Sequence, residues 1–531
     1  MPGSARFEKI GERSMPQNAP PCPVLKNHLA AASAGFRGVI GVARMDITPP
    51  IGIHARCWGA AKHDVPTGVH RPLTLTTITF ERHRLDTPLV LMSADLMSWR
   101  SRDAEAAVIG KILEESRLPR ENLMFCLTHT HAAPSVRRED ADKPGGALIE
   151  AYQQQLVRTS LGSIREAQVS KCNATLTWAY GRCDLAANRD FAEPGGSRVL
   201  CGFNPEGQAD DTLLVGRICD DTGKIVATIV NYACHPTTLA WENTLLSPDF
   251  VGAMREGVET HAGSPCLFLQ GVSGELAPAE QYVGDPSVAD RHGRRLGFAV
   301  LSTLEGMAPP GTQLKYQGVM ESGAPLAMWR PEKVPASTTL SAKTRDVELP
   351  LKPMPSAREL EEHWRACDDP VLKERLWRKL GVRRVVGDGE TSPMPLFVWR
   401  LGDACLVGQP NEAYSQFQIE LRRAFPDRAI AVMNLVNGSA GYLPPSEMYD
   451  RDCYQVTQSP FSRGSLENLI QAATRIVAEM NDDPSPSPLY SGERAGERGE
   501  NPSAEISRYF RSNASDPSPQ PSPRSTEERE Q

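Results

Sequence analysis

His129 and His131 stand two apart in Leu127-Thr-His-Thr-His-Ala-Ala-Pro-Ser135, directly behind the apolar run Leu123-Met-Phe-Cys126. On an extended strand, residues i and i+2 share a face and lie roughly 6.5–7 Å apart. A zinc–nitrogen bond is ~2.0–2.1 Å long. Both rings can therefore reach one metal ion, or one can bind it while the other faces a substrate. The bland alternative is a pair of hydrogen-bonding histidines at the end of a buried strand. Three further polar groups follow apolar runs in the same way: His235 after "KIVATIVNYAC", Ser273–Glu275 after "PCLFLQGV", and Glu412 after "ACLVGQP". In open α/β folds the loops at the carboxyl ends of strands carry the site. Taken together, these groups predict a metal site assembled from distant segments.

Other chemistries find less support. No HExxH stretch is present, which argues against a zincin. "QGVSGE" places Gly271-Val-Ser273 before Gly274-Glu275, so it lacks the G-x-S-x-G of a nucleophile elbow. We read it as a tight turn after a strand. Asp95, at the end of "LMSAD", is placed to orient a ligand histidine or to cap a turn.

Strands and helices alternate behind these groups. "PLVLMSADLM", "NLMFCLTHTH", "KIVATIVNYACHP" and "PCLFLQGVSGE" read as buried strands. "SRDAEAAVIGKILEESRL", "ALIEAYQQQLVRTSLGSIREAQ" and "PDFVGAMREGVETH" read as helices, the first capped by Ser101 or Asp103 and the third by Ser247 or Asp249. Residues 310–350 are β-rich, and "SARELEEHWRACDDPVLKERLWRKL" is helical and charged. "LFVWRLGDACLVGQ" is a hairpin turning at Gly402-Asp403, and the helix "EAYSQFQIELRRAF" follows it. The class is α/β, with mixed sheets flanked by helices.

A loose leader is expected over 1–36, one large domain over 37–481, and a disordered tail rich in Pro, Ser and charges over 482–531. The 531 residues are 40% hydrophobic, enough for a real core, and the formal net charge of −7 argues against a general affinity for nucleic acid or acidic membranes. The 12 cysteines form no CxxC pair and sit largely in apolar runs, which predicts reduced, buried thiols. No stretch approaches the ~20 apolar residues of a membrane span. The Pro-rich N-terminus has no continuous apolar core of a secretory signal, so the expected location is cytoplasmic, or secreted if the start is misassigned.

"GVARMDITPPIG", "VLMSADL", "THTHAAPS", "NYACHPTTL", "SPDFVG", "LQGVSGELAP", "GQPNEAY" and "AGYLPPSEMYDRDCY" occur in one order over about 38–480. That order resembles the catalytic domain of the neutral, non-lysosomal ceramidase family. The resemblance implies a ceramidase-like fold and a zinc site made by His129, His235, Glu412 and Tyr442. It places His131 against the reacting group, Tyr454 on the amide oxygen and Arg189 in the site. It also implies a zinc-dependent hydrolase of an N-acyl amide, ceramide or a smaller relative. Its partners would be a lipid or small-molecule substrate, with oligomeric state unspecified. Two departures accompany it. The family's G-D-V-S-P-N hexapeptide is Gly274-Glu-Leu-Ala-Pro-Ala279 here, with Ala277 in place of serine. The family's C-terminal β-sandwich falls where this chain turns into its Pro/Ser-rich tail. Two other functions therefore stay open: a metal-binding protein without turnover, and a hydrolase of another bond, such as an ester or a sugar-linked amide.

Overall fold

The computed structural model describes residues 34–99 and 101–482. Residues 1–33 of the expected leader, and the expected tail from 483 onward, lie outside the described residues.

Strands covered on both faces read as unbroken apolar runs, and Leu123–Leu127 shows why. Leu123, Phe125 and Leu127 point into a core with Tyr152 and Leu156 of the helix Ile149–Ser170. Met124 and Cys126 point the other way, into a core shared with Phe397, Trp399 and Leu406 of a second sheet. This pattern builds the architecture. An eight-stranded mixed sheet runs, edge to edge, Cys266–Gln270, Ile225–Tyr232, Thr212–Asp220, Cys172–Arg182, Phe36–Asp46, Thr74–Glu81, Leu89–Ala94 and Leu123–Leu127. The two outermost pairs, one at each edge, are parallel and the inner ones antiparallel. A four-stranded sheet, Leu340–Pro350, Thr391–Leu401, Ala404–Gly408 and Ala429–Met433, packs on one face of it. Helices Ile149–Ser170, Phe250–Ala262 and Pro286–Glu305 cover the other face of the large sheet. Gln416–Ala424 and Ser465–Asp482 cover the small sheet. The result is a layered α/β fold with mixed sheets flanked by helices, as expected.

The large sheet curls strongly. Its edge strand Cys266–Gln270 crosses the opposite half, where Arg44 Nη2 donates to Cys266 O (2.6 Å) and Ser93 Oγ to Phe268 O (2.5 Å). Strand ends from opposite edges of one sheet are thereby brought together, and the polar loops that follow them share one place.

Most expected elements form. The hairpin turns at Gly402, whose φ of +64° suits a glycine. The charged helical stretch divides into Ala357–Ala366 and Pro370–Val386, the second started by Asp369, whose side chain accepts from Leu372 N (2.7 Å). The helix at 250 is capped by Asp249 rather than Ser247. All eleven cysteines among the described residues are free thiols. No helix among those residues is long and apolar enough to cross a membrane.

Candidate metal centre

Strand Leu123–Leu127 ends before the histidines, contrary to the extended Thr-His-Thr-His that the sequence suggests. His129 takes a left-handed backbone, φ +69°, in the loop that follows. The loop is held because Thr128 N donates to Ala94 O and His129 N to Leu96 O, both at 2.9 Å. Left-handed backbone is costly for a side-chain-bearing residue and persists only where its surroundings enforce it. The two histidines still meet, with ring centroids 4.7 Å apart, but through a turn and not through a shared strand face.

His235 follows strand Ile225–Tyr232, and Glu412 follows strand Ala404–Gly408. The turn "QGVSGE" joins these two segments. Gly271 N donates to Tyr232 O (2.9 Å) and Gly274 N to Ala413 O (2.8 Å). A β-carbon on Gly271 would meet Ala233 N at 2.7 Å, and one on Gly274 would meet Tyr414 Cδ1 at 2.7 Å. The glycines permit this close backbone approach, so the turn serves the site as a keystone. Glu412 and Tyr442 are direct partners in a two-residue parallel ladder, which sets carboxylate and phenol side by side.

Three donor atoms converge. His129 Nε2 lies 3.1 Å from His235 Nε2 and 3.3 Å from Glu412 Oε2, and His235 Nε2 lies 3.1 Å from the same oxygen. His129 Nδ1 is 2.7 Å from Met97 O, and His235 Nδ1 is 2.7 Å from Ser273 O. A carbonyl only accepts, so each Nδ1 carries the ring proton and each Nε2 presents a lone pair. Two lone pairs facing each other across 3.1 Å repel unless a cation lies between them. Ligands ~2.0–2.1 Å from a tetrahedral zinc would be separated by about 3.3 Å, which is the spacing found here. The residues present therefore fit a zinc-like ion.

The electrostatics agree. Burial, helped by the nearby Arg189, lowers the His235 imidazole to about 3 and keeps it neutral. Burial alone would raise the Glu412 carboxyl; positive charge on the side of His129 and His235 outweighs it and holds the group well below its ordinary value, so the carboxylate too calls for a cation at the donor cluster. Burial and the neighbouring Glu412 raise the Tyr442 phenol well above its ordinary range, against the pull of Arg189. Arg189 is itself buried. Its guanidinium donates to Gly274 O from Nε (3.1 Å) and Nη2 (2.7 Å), and Nη2 also reaches Tyr442 Oη (3.3 Å) and lies 3.3 Å from His235 Nε2.

His131 sits one shell outward, half-buried. Its Nδ1 donates to His129 O (3.0 Å), and its ring lies 5.9 Å from that of His235. Tyr454 is edge-on to Tyr442, with centroids 5.7 Å apart, and is 42% exposed, which places it at the rim. The seven residues that the family resemblance assigns to the site thus gather in one region.

Other features went unread. The carbonyls of Met97 and Ser273 fix both imidazole tautomers, and backbone atoms leave no signature in a sequence. An aromatic wall of Trp58, Trp241 and Tyr282, with rings 5.6–6.0 Å apart, stands beside His131. Asp95 does not orient a histidine. Its carboxylate pairs with Arg255 (2.6 Å) and accepts from Thr74 N (2.8 Å), which makes it a buried structural anchor. Ser273 Oγ accepts from Gln270 Nε2 (2.7 Å) behind His235, 3.2 Å from Nδ1 and on the far side of the ring from the donor cluster. Ala277 is buried in a short ladder with Ala187.

Comparison with known proteins supports the fold. The structure resembles that of neutral ceramidase from Pseudomonas aeruginosa, with a TM-score of 0.61 and 17% identity over 88% of this chain and 77% of that one. It also resembles a ceramidase complexed with C2, with a TM-score of 0.56 and 16% identity over 83% of this chain and 74% of that one. No protein-family model and no curated protein sequence matches. The fold is that of the neutral ceramidases.

Proposed function

We propose that the protein is a zinc-dependent hydrolase of an N-acyl amide, ceramide or a smaller N-acyl compound. One observation carries this reading: two imidazole lone pairs and a carboxylate oxygen converge at tetrahedral-edge spacing on a neutral-ceramidase fold. His129, His235 and Glu412 would hold the ion, with the Tyr442 oxygen as a further donor. When bound, zinc supplies Lewis acidity toward a carbonyl oxygen and makes water a stronger acid.

The remaining steps belong to the chain's own groups. His131 keeps its Nδ1 proton on His129 O, so Nε2 is the atom that takes a proton from the attacking water and returns it to the leaving amine. The resulting imidazolium is stabilised by that carbonyl. Tyr454 donates to the amide oxygen as charge develops there. Arg189 holds a fixed positive charge beside the same locus and, through its bond to Tyr442 Oη, favours the phenolate form. The aromatic wall of Trp58, Trp241 and Tyr282 offers apolar surface to the substrate. No serine takes part, because Ser273 lies behind His235 and position 277 is alanine.

The test pairs elemental analysis of the purified chain with release of fatty acid from a panel of N-acyl substrates and matching esters. One zinc per chain with amide cleavage is expected. Full zinc occupancy with no turnover of any amide or ester would overturn the enzymatic reading. Turnover of esters alone would reassign the bond.

A further inference from the structure

Strands Thr312–Glu321 and Pro325–Lys333 form an antiparallel hairpin that pairs with no other strand among the described residues. At ~3.4 Å per residue it is about 30 Å long. A lone two-stranded hairpin is marginal in water, and this one is apolar where it should be polar. Of the fifteen large hydrophobic residues exposed among the described residues, six lie on it: Leu314, Tyr316, Val319, Met320, Leu326 and Trp329, each 43–58% exposed. Monomeric proteins seldom present a contiguous patch of this kind without a use for it.

The register shows how the patch is arranged. Directly paired residues share a face, so Leu314/Pro331, Tyr316/Trp329 and Val319/Ala327 form one continuous apolar stripe, with the Tyr316 and Trp329 rings 5.7 Å apart. On that same face Thr312/Lys333 closes the stripe at the base, and Glu321/Pro325 closes it at the tip. The reverse face is polar at its base, where Lys315 pairs with Glu332 (2.9 Å), and apolar only towards the tip.

We infer that this stripe is the contact between two copies of the chain, packed arm against arm about a two-fold axis. A two-fold contact requires a surface that complements itself when reversed. With the arms antiparallel, Tyr316 and Trp329 near the middle meet their own counterparts. Glu321 at the tip comes level with the partner's Thr312/Lys333 pair at the base, one strand across from the partner's Lys333, and the same approach repeats at the other end. A bilayer fits the face less well, because Glu321 would then be the residue carried towards the acyl chains.

Sedimentation of the full chain across a concentration series tests this. The wild type is expected to dimerise, and Trp329→Glu to shift the chain to monomer at unchanged circular dichroism and zinc content. Glu321→Lys and Lys333→Glu should each weaken the dimer at least tenfold, and the double exchange should restore it, an outcome that general destabilisation of the arm would not produce. A monomer at every concentration overturns the inference, as does a dimer indifferent to Trp329→Glu. Co-sedimentation of a monomeric wild type with phosphatidylcholine/phosphatidylserine vesicles, lost in Trp329→Glu, would reassign the stripe to lipid. Because none of these readouts uses turnover, the result stands apart from the proposed activity.

Discussion

His129 and His235 aim their Nε2 atoms at each other across 3.1 Å, each ring having committed its Nδ1 proton to a backbone carbonyl. The arrangement is a cost without a cation and a gain with one. His129→Ala, His235→Ala and Glu412→Ala should each remove most of the bound zinc, measured by elemental analysis after gel filtration. Chelation of the wild type should lower its melting temperature, since an ion present at ~1,000 times its dissociation constant adds about 4 kcal/mol to the folded state. Wild-type zinc content in the His129→Ala/His235→Ala double variant would refute the site.

His131 should fail differently from its neighbour. Its Nδ1 bonds to the His129 carbonyl. His131→Ala is expected to retain its zinc and lose roughly 10²–10⁴-fold in kcat, the usual range for a lost general acid–base group. Parallel loss of metal and turnover would make His131 a ligand instead.

In the proposed mechanism Tyr454 would act on the amide oxygen from the rim. Tyr454→Phe keeps the ring against Tyr442 and removes only the hydroxyl. Loss of one donor to a developing oxyanion costs roughly 10²–10³-fold, and the 42% exposure of Tyr454 favours the lower end. The expected signature is a fall in kcat near 10²-fold with zinc content and KM little changed. An unaltered kcat would remove Tyr454 from the mechanism.

Ser273→Ala should leave turnover within a few fold of wild type. The hydroxyl faces Gln270 and the Nδ1 side of His235, behind the ring. A modest loss of stability, about 1 kcal/mol for the bond to Gln270, is expected in urea denaturation. Abolished turnover in a folded, zinc-loaded variant would restore a serine mechanism.

Much of this was legible in the sequence because side chains carry it. Strands such as Leu123–Leu127 are buried on both faces, so they appear as apolar runs, and the histidines and Glu412 follow such runs. The conformation of "THTH" is not legible there, since nothing in its composition betrays that the strand stops at Leu127 and that His129 turns left-handed. Asp95, by its place in the chain, reads equally as a partner for histidine or a cap, yet its charge is spent on Arg255, 160 residues away. The curl of the large sheet, which unites the two edges and hence the candidate ligands, is accompanied by contacts such as Arg44 with Cys266, and no local pattern encodes it.

Glu275 offers a pH-dependent test of the turn that supports the site. Burial pushes its carboxyl up to about 7 from an ordinary 4.5, and bonds from the Ser415 amide at 2.9 and 3.0 Å, together with the Ser415 hydroxyl, only partly oppose that. Its own carbonyl accepts from Arg189 N (2.8 Å), so the residue links the turn to the site. Between pH 4.5 and 7 the folded chain holds a proton here that the unfolded chain has released. Stability from this group is therefore fully present at the acid end of that window and falls as pH rises through it, by about 3 kcal/mol in all. Other buried acids, such as Asp249, pushed up to about 6, contribute in the same direction, so the informative quantity is a difference between two chains. Glu275→Gln keeps an acceptor for Ser415 and cannot ionise. Urea denaturation at pH 5, 6, 7 and 8 should show the variant gaining on wild type as pH rises, with the gap between the two profiles changing by about 2.5 kcal/mol over that range. Parallel profiles would mean that Glu275 is ionised in the folded chain at the lower pH, and that the turn is held by a charge and not by a neutral acid.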